Sequence, residues 1–529
     1  MGDETNAEQP DARRQEEVFA FLADPATHGI DGDVRRVDTH GAALFLAGPN
    51  VYKAKRAVRF PFMDFSTLEK RRAACEAEIA LNRPNAPQLY IGVTPVTRED
   101  GRLRLGGDGE VVEWTAHLSR FDEDAGLERI AARGELDPPL ARRLGETIAR
   151  AHRAAPIRRE GGAVARLYGV VEEMTDGLVA ASHHFGVKAA QAYSEALRDA
   201  FASVAPLLSR REAAGRVRRC HGDLHLANIV LVDGEPTLFD ALEFDEALAT
   251  IDVLYDLAFA LMDLFTRKLP QQANALMNAY LSASNDMEGD VEGLAALPLF
   301  MSLRAAIRAR VATLEPDPTP QTIRSAQHLF ASARAFLEPC AARLVAVGGL
   351  SGTGKTRLCA AIAHGVGAAP GAVHLRSDVE RKRLNGARET DRLPPEAYAP
   401  EQSTRVYAHL MRLADVALRA GRGVILDAAF LKERERGDAQ ALGRATRFDG
   451  LWLEAPLEQR LSRVAGRQND ASDATQEVAR QQETYVEEPA SWTRLEAAEP
   501  PQTVARKALE LLSGALPSPP PPPPERGEA

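Results

Sequence analysis

Apolar positions along the chain change rhythm near residue 340. From about residue 17 to 335, short runs with a strand-like period come first and long helical patterns follow. From about 343 to 513, short apolar runs alternate with helical ones. The stretch ALFLAGPNVYKAKRAV predicts a strand, a Gly-Pro turn and a second strand in which Val51, Lys53 and Lys55 share one face. LEKRRAACEAEIALNR and IDVLYDLAFALMDL predict helices, as does Gln321 to Leu337 after the breaking sequence Glu-Pro-Asp-Pro-Thr-Pro at 315–320. The first 16 and last 16 residues predict disordered tails, the second ending in the proline run Pro519 to Pro524. The expected division is a 1–16 tail, a 17–335 domain, a 343–513 domain and a 514–529 tail, with no internal repeat.

Composition narrows the class. The 529 residues carry 45% hydrophobic and 26% charged residues, the mix of an ordinary soluble globular protein. A net charge of -10 argues against a general nucleic-acid or anionic-membrane binder. Cys75, Cys220, Cys340 and Cys359 lie far apart with no CxxC pair, which argues against a disulfide framework and a cysteine-based zinc site. The longest apolar stretch, Leu254 to Phe265, is broken by Asp256 and Asp263 and falls short of the roughly 20 residues that span a bilayer. With a polar N-terminus and no signal-peptide pattern, the expected location is cytoplasmic.

The clearest chemistry lies at RLVAVGGLSGTGKT, residues 343–356. An apolar run leads to Gly349, then four residues, then Gly354, Lys355 and Thr356, and a helical pattern follows. This is the GxxxxGK[ST] spacing in strand–loop–helix context. Gly349, Ser351, Gly352, Thr353 and Gly354 form a loop whose backbone N–H groups can converge on phosphate oxygens, aided by the helix N-terminus. Lys355 would reach the β- and γ-phosphates and the Thr356 hydroxyl would ligate Mg²⁺. Ser377 to Arg381 then has two readings. Ser377 with Glu380 fits an S-x-x-E capping box; alternatively Asp378 is a general base on an acceptor hydroxyl and Arg381 anchors an anionic substrate. GVILDAAF ends a strand at Asp427, either a polar terminus or an acidic group near Mg²⁺. Arg460, Arg463 and Arg467 fall on one face of a helical pattern, either a solvated basic stripe or a lid over the transferring phosphoryl group. At these residues the segment resembles the small P-loop kinases typified by gluconate kinase and the kinase half of polynucleotide kinase. The resemblance implies that Asp378 activates the acceptor.

The N-terminal segment carries CHGDLHLANIVLVDGEPTLFDALEFD at 220–245. Asp223, Asn228 five positions on and Asp240 twelve further have the spacing of a catalytic Asp and two metal-holding residues. His221 and His225 could suggest a zinc site, but no fourth ligand follows at suitable spacing. Upstream, Lys53 is the expected phosphate lysine with Lys55 in reserve, and Glu78 on the following helix is its expected ion-pair partner. Together these residues resemble the aminoglycoside phosphotransferase-like family, which is built on a protein-kinase-like fold. The pattern lacks that family's glycine-rich loop over the phosphates and offers only His40-Gly41 and Gly48-Pro49-Asn50. The helix IDVLYDLAFALMDL matches the one following the metal Asp in that family, with Asp252 and Asp256 in structural roles.

The expected fold is two domains: an N-terminal α+β bilobal protein-kinase-like fold and a C-terminal α/β P-loop NTPase with a parallel sheet. By resemblance, each binds ATP with Mg²⁺ and transfers a phosphoryl group to a hydroxyl of a small molecule. Two rivals remain: an N-terminal domain that senses nucleotide without transferring phosphate, and a P-loop ATPase driving conformational change.

Overall fold

The structure, a computed structural model, describes residues 8–60, 63–314, 317–467, 470–487, 489 and 491–513. The tail at 514–529 and the first seven residues lie outside these. Among the described residues there are two compact units. Those up to Ala180 with Phe201–Leu264 form the first; Ala181–Ala200 with the residues from Phe265 onward form the second.

In the first unit an antiparallel six-stranded sheet runs in the order Arg35–Asp38, Ala42–Ala47, Asn50–Lys55, Glu110–Ser119, Tyr90–Glu99, Arg102–Leu105. Its two faces follow from the period of two along Asn50–Lys55. Tyr52 and Ala54 join Phe45 and Val96 in a core closed by Val18, Phe19 and Leu22 of the helix Glu8–Ala23. This helix corrects the expectation of a disordered tail to residue 16. Its apolar residues find a sheet face to cover, and Gln15 is buried against that sheet. Lys53 and Lys55 instead face the helix Leu68–Asn82, whose Cys75 and Ile79 pack with Tyr90 and Ala116.

After Asn228, Ile229–Val232 pairs with Glu235–Leu238 in a hairpin. Asp233 and Gly234 at its tip both have positive φ, as a two-residue Asp-Gly turn requires. Below it runs the helix Val253–Thr266, in which every residue from Val253 to Leu264 is buried, Asp256 and Asp263 included.

The second unit is built on a parallel five-stranded sheet in the order Val373–Arg376, Val424–Asp427, Arg343–Gly349, Arg447–Glu454, Thr493–Glu496. The first strand in sequence is central, with later strands on both sides, so the order reverses at its C-terminal end. Open α/β sheets place their ligand crevice at such a point. Helices from the kinase-like part of the sequence belong to this unit. Helix Pro270–Ser282 satisfies the backbone of the sheet edge: Asn274 and Asn278 each donate to the Ala372 carbonyl at 3.0 Å, and the Asn278 Oδ1 accepts from the His374 N–H at 2.7 Å. Among the described residues no helix is long and apolar enough to cross a membrane.

Candidate active sites

In the first unit the expected charged residues meet. Lys53 Nζ lies 2.9 Å from Glu78 Oε1 and 2.7 Å from Asp240 Oδ1. Lys55 Nζ takes the other Glu78 oxygen at 2.6 Å and also pairs with Glu243. Of the two lysines, Lys53 is thus the one that touches Asp240. Burial works against the Lys53 ammonium, but Asp240, Glu78 and Glu243 outweigh it and hold its pKa well above the usual range. Burial likewise opposes the Asp240 and Glu78 carboxylates, and the lysines overcome it, keeping both below their ordinary values.

Asp223 sits in a tightly tied loop. Its Oδ2 accepts from Asn228 Nδ2 at 3.0 Å and lies 3.2 Å from His225 Nε2. Burial lowers the pKa of His221. Its Nε2 donates to the Phe239 carbonyl at 2.8 Å, which leaves Nδ1 to accept from the Asp223 N–H at 3.3 Å. Gly222 has φ +86, and a Cβ there would lie 2.8 Å from that of Ala249. Asp256 accepts from the N–H groups of His221 and Gly222 at 3.1 and 2.9 Å and from His152 at 3.0 Å. Asp263, one helical repeat on, accepts from the Leu226 N–H at 3.0 Å. Asp252 pairs through both oxygens with Arg211, at 2.7 and 2.8 Å. Asp252 and Asp256 therefore have the structural roles expected. The sequence reading missed Asp263, Glu243 and Tyr90, whose hydroxyl accepts from the Asp240 N–H at 2.9 Å. Two acids at i and i+7 in an otherwise apolar helix were the available signal.

A hard cation fits this oxygen set. Asn228 spends its Nδ2 on Asp223, so its carbonyl oxygen is what it can offer beside the Asp240 carboxylate.

In the second unit the loop ending at Thr356 opens into a cavity of about 970 Å³. Ser351 to Thr356 line it, together with Asp378, Arg381, Asp427, Arg463 and Arg467. Gly349, Gly352 and Gly354 all have positive φ. Lys355 Nζ rests on the loop's own carbonyls, 2.8 Å from Gly349 O and 3.1 Å from Leu350 O. Burial lowers its pKa, with Asp427 and Asp378 pulling the other way.

Asp378 and Asp427 face one cavity with opposite electrostatics. Burial, reinforced by the Asp427 charge, raises the Asp378 pKa. Burial opposes the Asp427 charge too, but a hydrogen bond from His374 at 3.2 Å and the cations Arg376 and Lys355 keep its pKa low. A hydroxyl and a carboxylate, Thr356 and Asp427, are hard oxygen donors on the cavity wall.

Three expectations need correction. Helix Ser377–Leu384 is preceded by Arg376 at its N-cap, with no side-chain cap, so the Ser377–Glu380 capping box does not form. Glu380 pairs instead with His409 at 3.1 Å, and Ser377 lines the cavity. The arginine stripe is also broken, because helix Leu457–Ala465 stops at Gly466 and leaves Arg467 beyond its end. Arg460 is fully buried and bonds to Ser351 O at 3.4 Å, Ala479 O at 3.3 Å and Glu483, so it braces the loop instead of lining the cavity. Arg463 does line it, and bonds to the Thr353 carbonyl at 3.3 Å and the Ala497 carbonyl at 2.9 Å. Arg381 lines the cavity, stacks over Tyr398 at 4.9 Å and donates to Ala397 O at 2.7 Å.

Two family models match the chain: the phosphotransferase enzyme family over residues 107–296, and an AAA domain over residues 344–489. The chain is thus a two-domain protein that joins a kinase-like phosphotransferase domain to a P-loop kinase domain. It belongs to the family of the Mycobacterium tuberculosis protein Rv2004c, with which it is 30% identical over 481 residues, 86% of this chain and 90% of that one. The Mycobacterium bovis protein Mb2027c matches equally well. Among solved structures, a choline/ethanolamine kinase family protein from Mesorhizobium loti is 18% identical over 61% of this chain and 95% of its own, with TM-score 0.36. A gluconokinase from Sinorhizobium meliloti is 19% identical over 32% and 91%, with TM-score 0.24.

Proposed function

We propose that both units are ATP- and Mg²⁺-dependent phosphotransferases acting on hydroxyls of small molecules in the cytoplasm. In the first unit Asp223 orients the acceptor hydroxyl and takes its proton, and Lys53, braced by Glu78, binds the nucleotide phosphates. Asn228 and Asp240 would hold Mg²⁺, which when bound neutralises charge on the phosphates. The observation that carries this reading is the convergence of Lys53, Glu78 and Asp240 beside the Asp223–Asn228 loop. In the second unit the Gly349–Thr356 loop and Lys355 would cradle the phosphates, with Arg463 and Arg467 beside them. Thr356 and Asp427 would hold Mg²⁺. Asp378, more basic than an ordinary carboxylate, takes the acceptor proton, and Arg381 anchors a polar or anionic acceptor.

A second reading, a nucleotide sensor in the first unit, is favoured by one feature. The strands Arg35–Asp38 and Ala42–Ala47 are joined by only Thr39, His40 and Gly41, a short cover for a triphosphate. Mg²⁺-dependent ADP formation across a panel of hydroxylated metabolites separates the two. Turnover that Asp223→Asn removes and Lys355→Ala spares assigns a kinase to the first unit, and the converse assigns one to the second. If Lys355→Ala removes all turnover and Asp223→Asn changes none, the first unit is a sensor.

A further inference from the structure

Helix Gln476–Tyr485 is fastened to the Gly349–Thr356 loop through one of the loop's backbone donors. Gln482, buried on that helix, accepts from the Ser351 backbone N–H through its Oε1 at 2.7 Å. Because Ser351 N–H can only donate, the carboxamide oxygen must face it. The helix is held in place from the other side as well: Arg460 bridges Ser351 O and Ala479 O and pairs with Glu483. Val478, Gln481 and Gln482 of this helix line the same cavity as Lys355.

The amides nearest the helix N-terminus at Lys355 are placed for the inner phosphates, as in other loops of this spacing. Ser351 lies at the strand end of the loop, away from that helix. On the present proposal its N–H, set back from those amides and held by Gln482, is the one that meets the terminal phosphate. We infer that Gln482 is a latch on the terminal-phosphate position: its oxygen satisfies the Ser351 N–H in the empty loop and must give it up to a nucleoside triphosphate but not to a diphosphate. The residue thereby sets the ratio of triphosphate to diphosphate affinity. This rests on the proposed nucleotide-binding role of the loop.

The test is equilibrium binding of Mg²⁺–ADP and of the Mg²⁺-bound β,γ-imido analogue of ATP to the full chain. The component lost in Lys355→Ala defines the P-loop site. Gln482→Ala removes a buried hydrogen bond that the terminal phosphate otherwise has to break. Analogue binding should then tighten about two- to ten-fold, the range expected for one such bond, with ADP binding unchanged. Gln482→Glu keeps an acceptor for Ser351 N–H and adds a negative charge, so it should weaken the analogue and spare ADP. Analogue affinity that is unchanged or weaker in Gln482→Ala overturns the latch. So does equal tightening of ADP, or a Gln482→Glu chain that binds the analogue as the wild type does. Absence of any Lys355-dependent component in the wild type overturns the nucleotide-binding reading itself, and the latch with it.

Discussion

In the kinase-like unit, Lys53 and Asp240 meet although they lie 187 positions apart, and Lys53 and Glu78 although they lie 25 apart. In the P-loop unit the residues proposed to cradle phosphate run without a break from Gly349 to Thr356. The first site is made of side-chain charges held in each other's fields and exists only when sheet, helix and hairpin have closed. The loop of the second is shaped by backbone, with glycines at positive φ, beside the side chains that line its cavity. The two should therefore fail differently. The first is broken by removing a charge, the second by adding a Cβ.

The largest effect is expected at the charges. Asp223→Asn keeps the shape but removes the proposed base, and loss of a positioned base costs about 10²–10⁴-fold in turnover. Acceptor-dependent ADP formation should fall by that factor for the first unit's substrate and remain for the second's. An equal fall in both would break the comparison, because it would mean one coupled site.

Next is the buried pair beneath the same sheet. Arg71 Nε donates to both Glu113 oxygens at 2.9 Å, and Gln15 Nε2 donates to Glu113 Oε2 at 2.8 Å. Arg71→Met strands a fully buried carboxylate, which costs about 3–5 kcal/mol when one partner of such a pair is removed. The loss should appear in denaturant unfolding of the full chain. Arg71→Met with Glu113→Leu should recover part of it, since no charge is then left unpaired. A single variant that unfolds like the wild type would show that charge does not hold this unit together.

The difference between the sites also explains what was legible in the sequence. The Gly349–Thr356 loop is contiguous and its spacing is rare, so its strand–loop–helix form could be read from the sequence. Lys53, Glu78, Asp223, Asn228 and Asp240 were readable because strand period and fixed offsets place them, though nothing local says that Lys53 and not Lys55 reaches Asp240. Helical periodicity is the same for an arginine braced in the core and one lining a cavity, so it does not distinguish Arg460 from Arg463. Only the tertiary partners Ser351 O, Ala479 O and Glu483 tell them apart. Arg467 lies beyond the helix because Gly466, a residue that favours helix ends, stands just before it. Gln482 left no signal, since one glutamine on a polar helix resembles any other. The helix Glu8–Ala23 was half hidden because its first residues are polar and its apolar stripe begins only at Val18.

Smaller, and confined to the loop, is the effect of a Cβ. Gly352 has φ +89 and Gly354 φ +95, so alanine at either strains the backbone, by about 1–3 kcal/mol. Only at Gly352 would the new Cβ also meet backbone, 2.5 Å from the Arg460 carbonyl oxygen; at Gly354 the nearest atom is Arg463 Nη1 at 3.9 Å. Gly352→Ala should therefore lose more of the Lys355-dependent nucleotide binding than Gly354→Ala. Equal losses would mean that φ alone shapes the loop and the close approach of Arg460 does not matter.

The subtlest effect is a matter of pH, and it returns charge to the backbone-built site. Asp378 faces Asp427, Arg376, Lys355 and the Ser472 side chain, and burial leads the causes that raise its pKa in the folded chain. A carboxyl raised on folding gives stability that is fully present below its unfolded value of about 3.9 and is lost as pH rises through the folded value. At neutral pH the buried Asp378 carboxyl is thus a cost to the fold that Asp378→Asn, which cannot ionise, removes. The variant should melt above the wild type at pH 7, and the gap should narrow as pH falls toward the ordinary carboxylate range. If Asp378 is the base, as proposed, the same shift places the acid limb of the P-loop unit's pH–rate profile above that range, because the base must lose its proton before it can accept one from the acceptor. A variant that melts below the wild type at pH 7 would show that the Asp378 carboxylate is held by partners that outweigh its burial. In that case the P-loop site, like the kinase-like one, would owe its shape to charge.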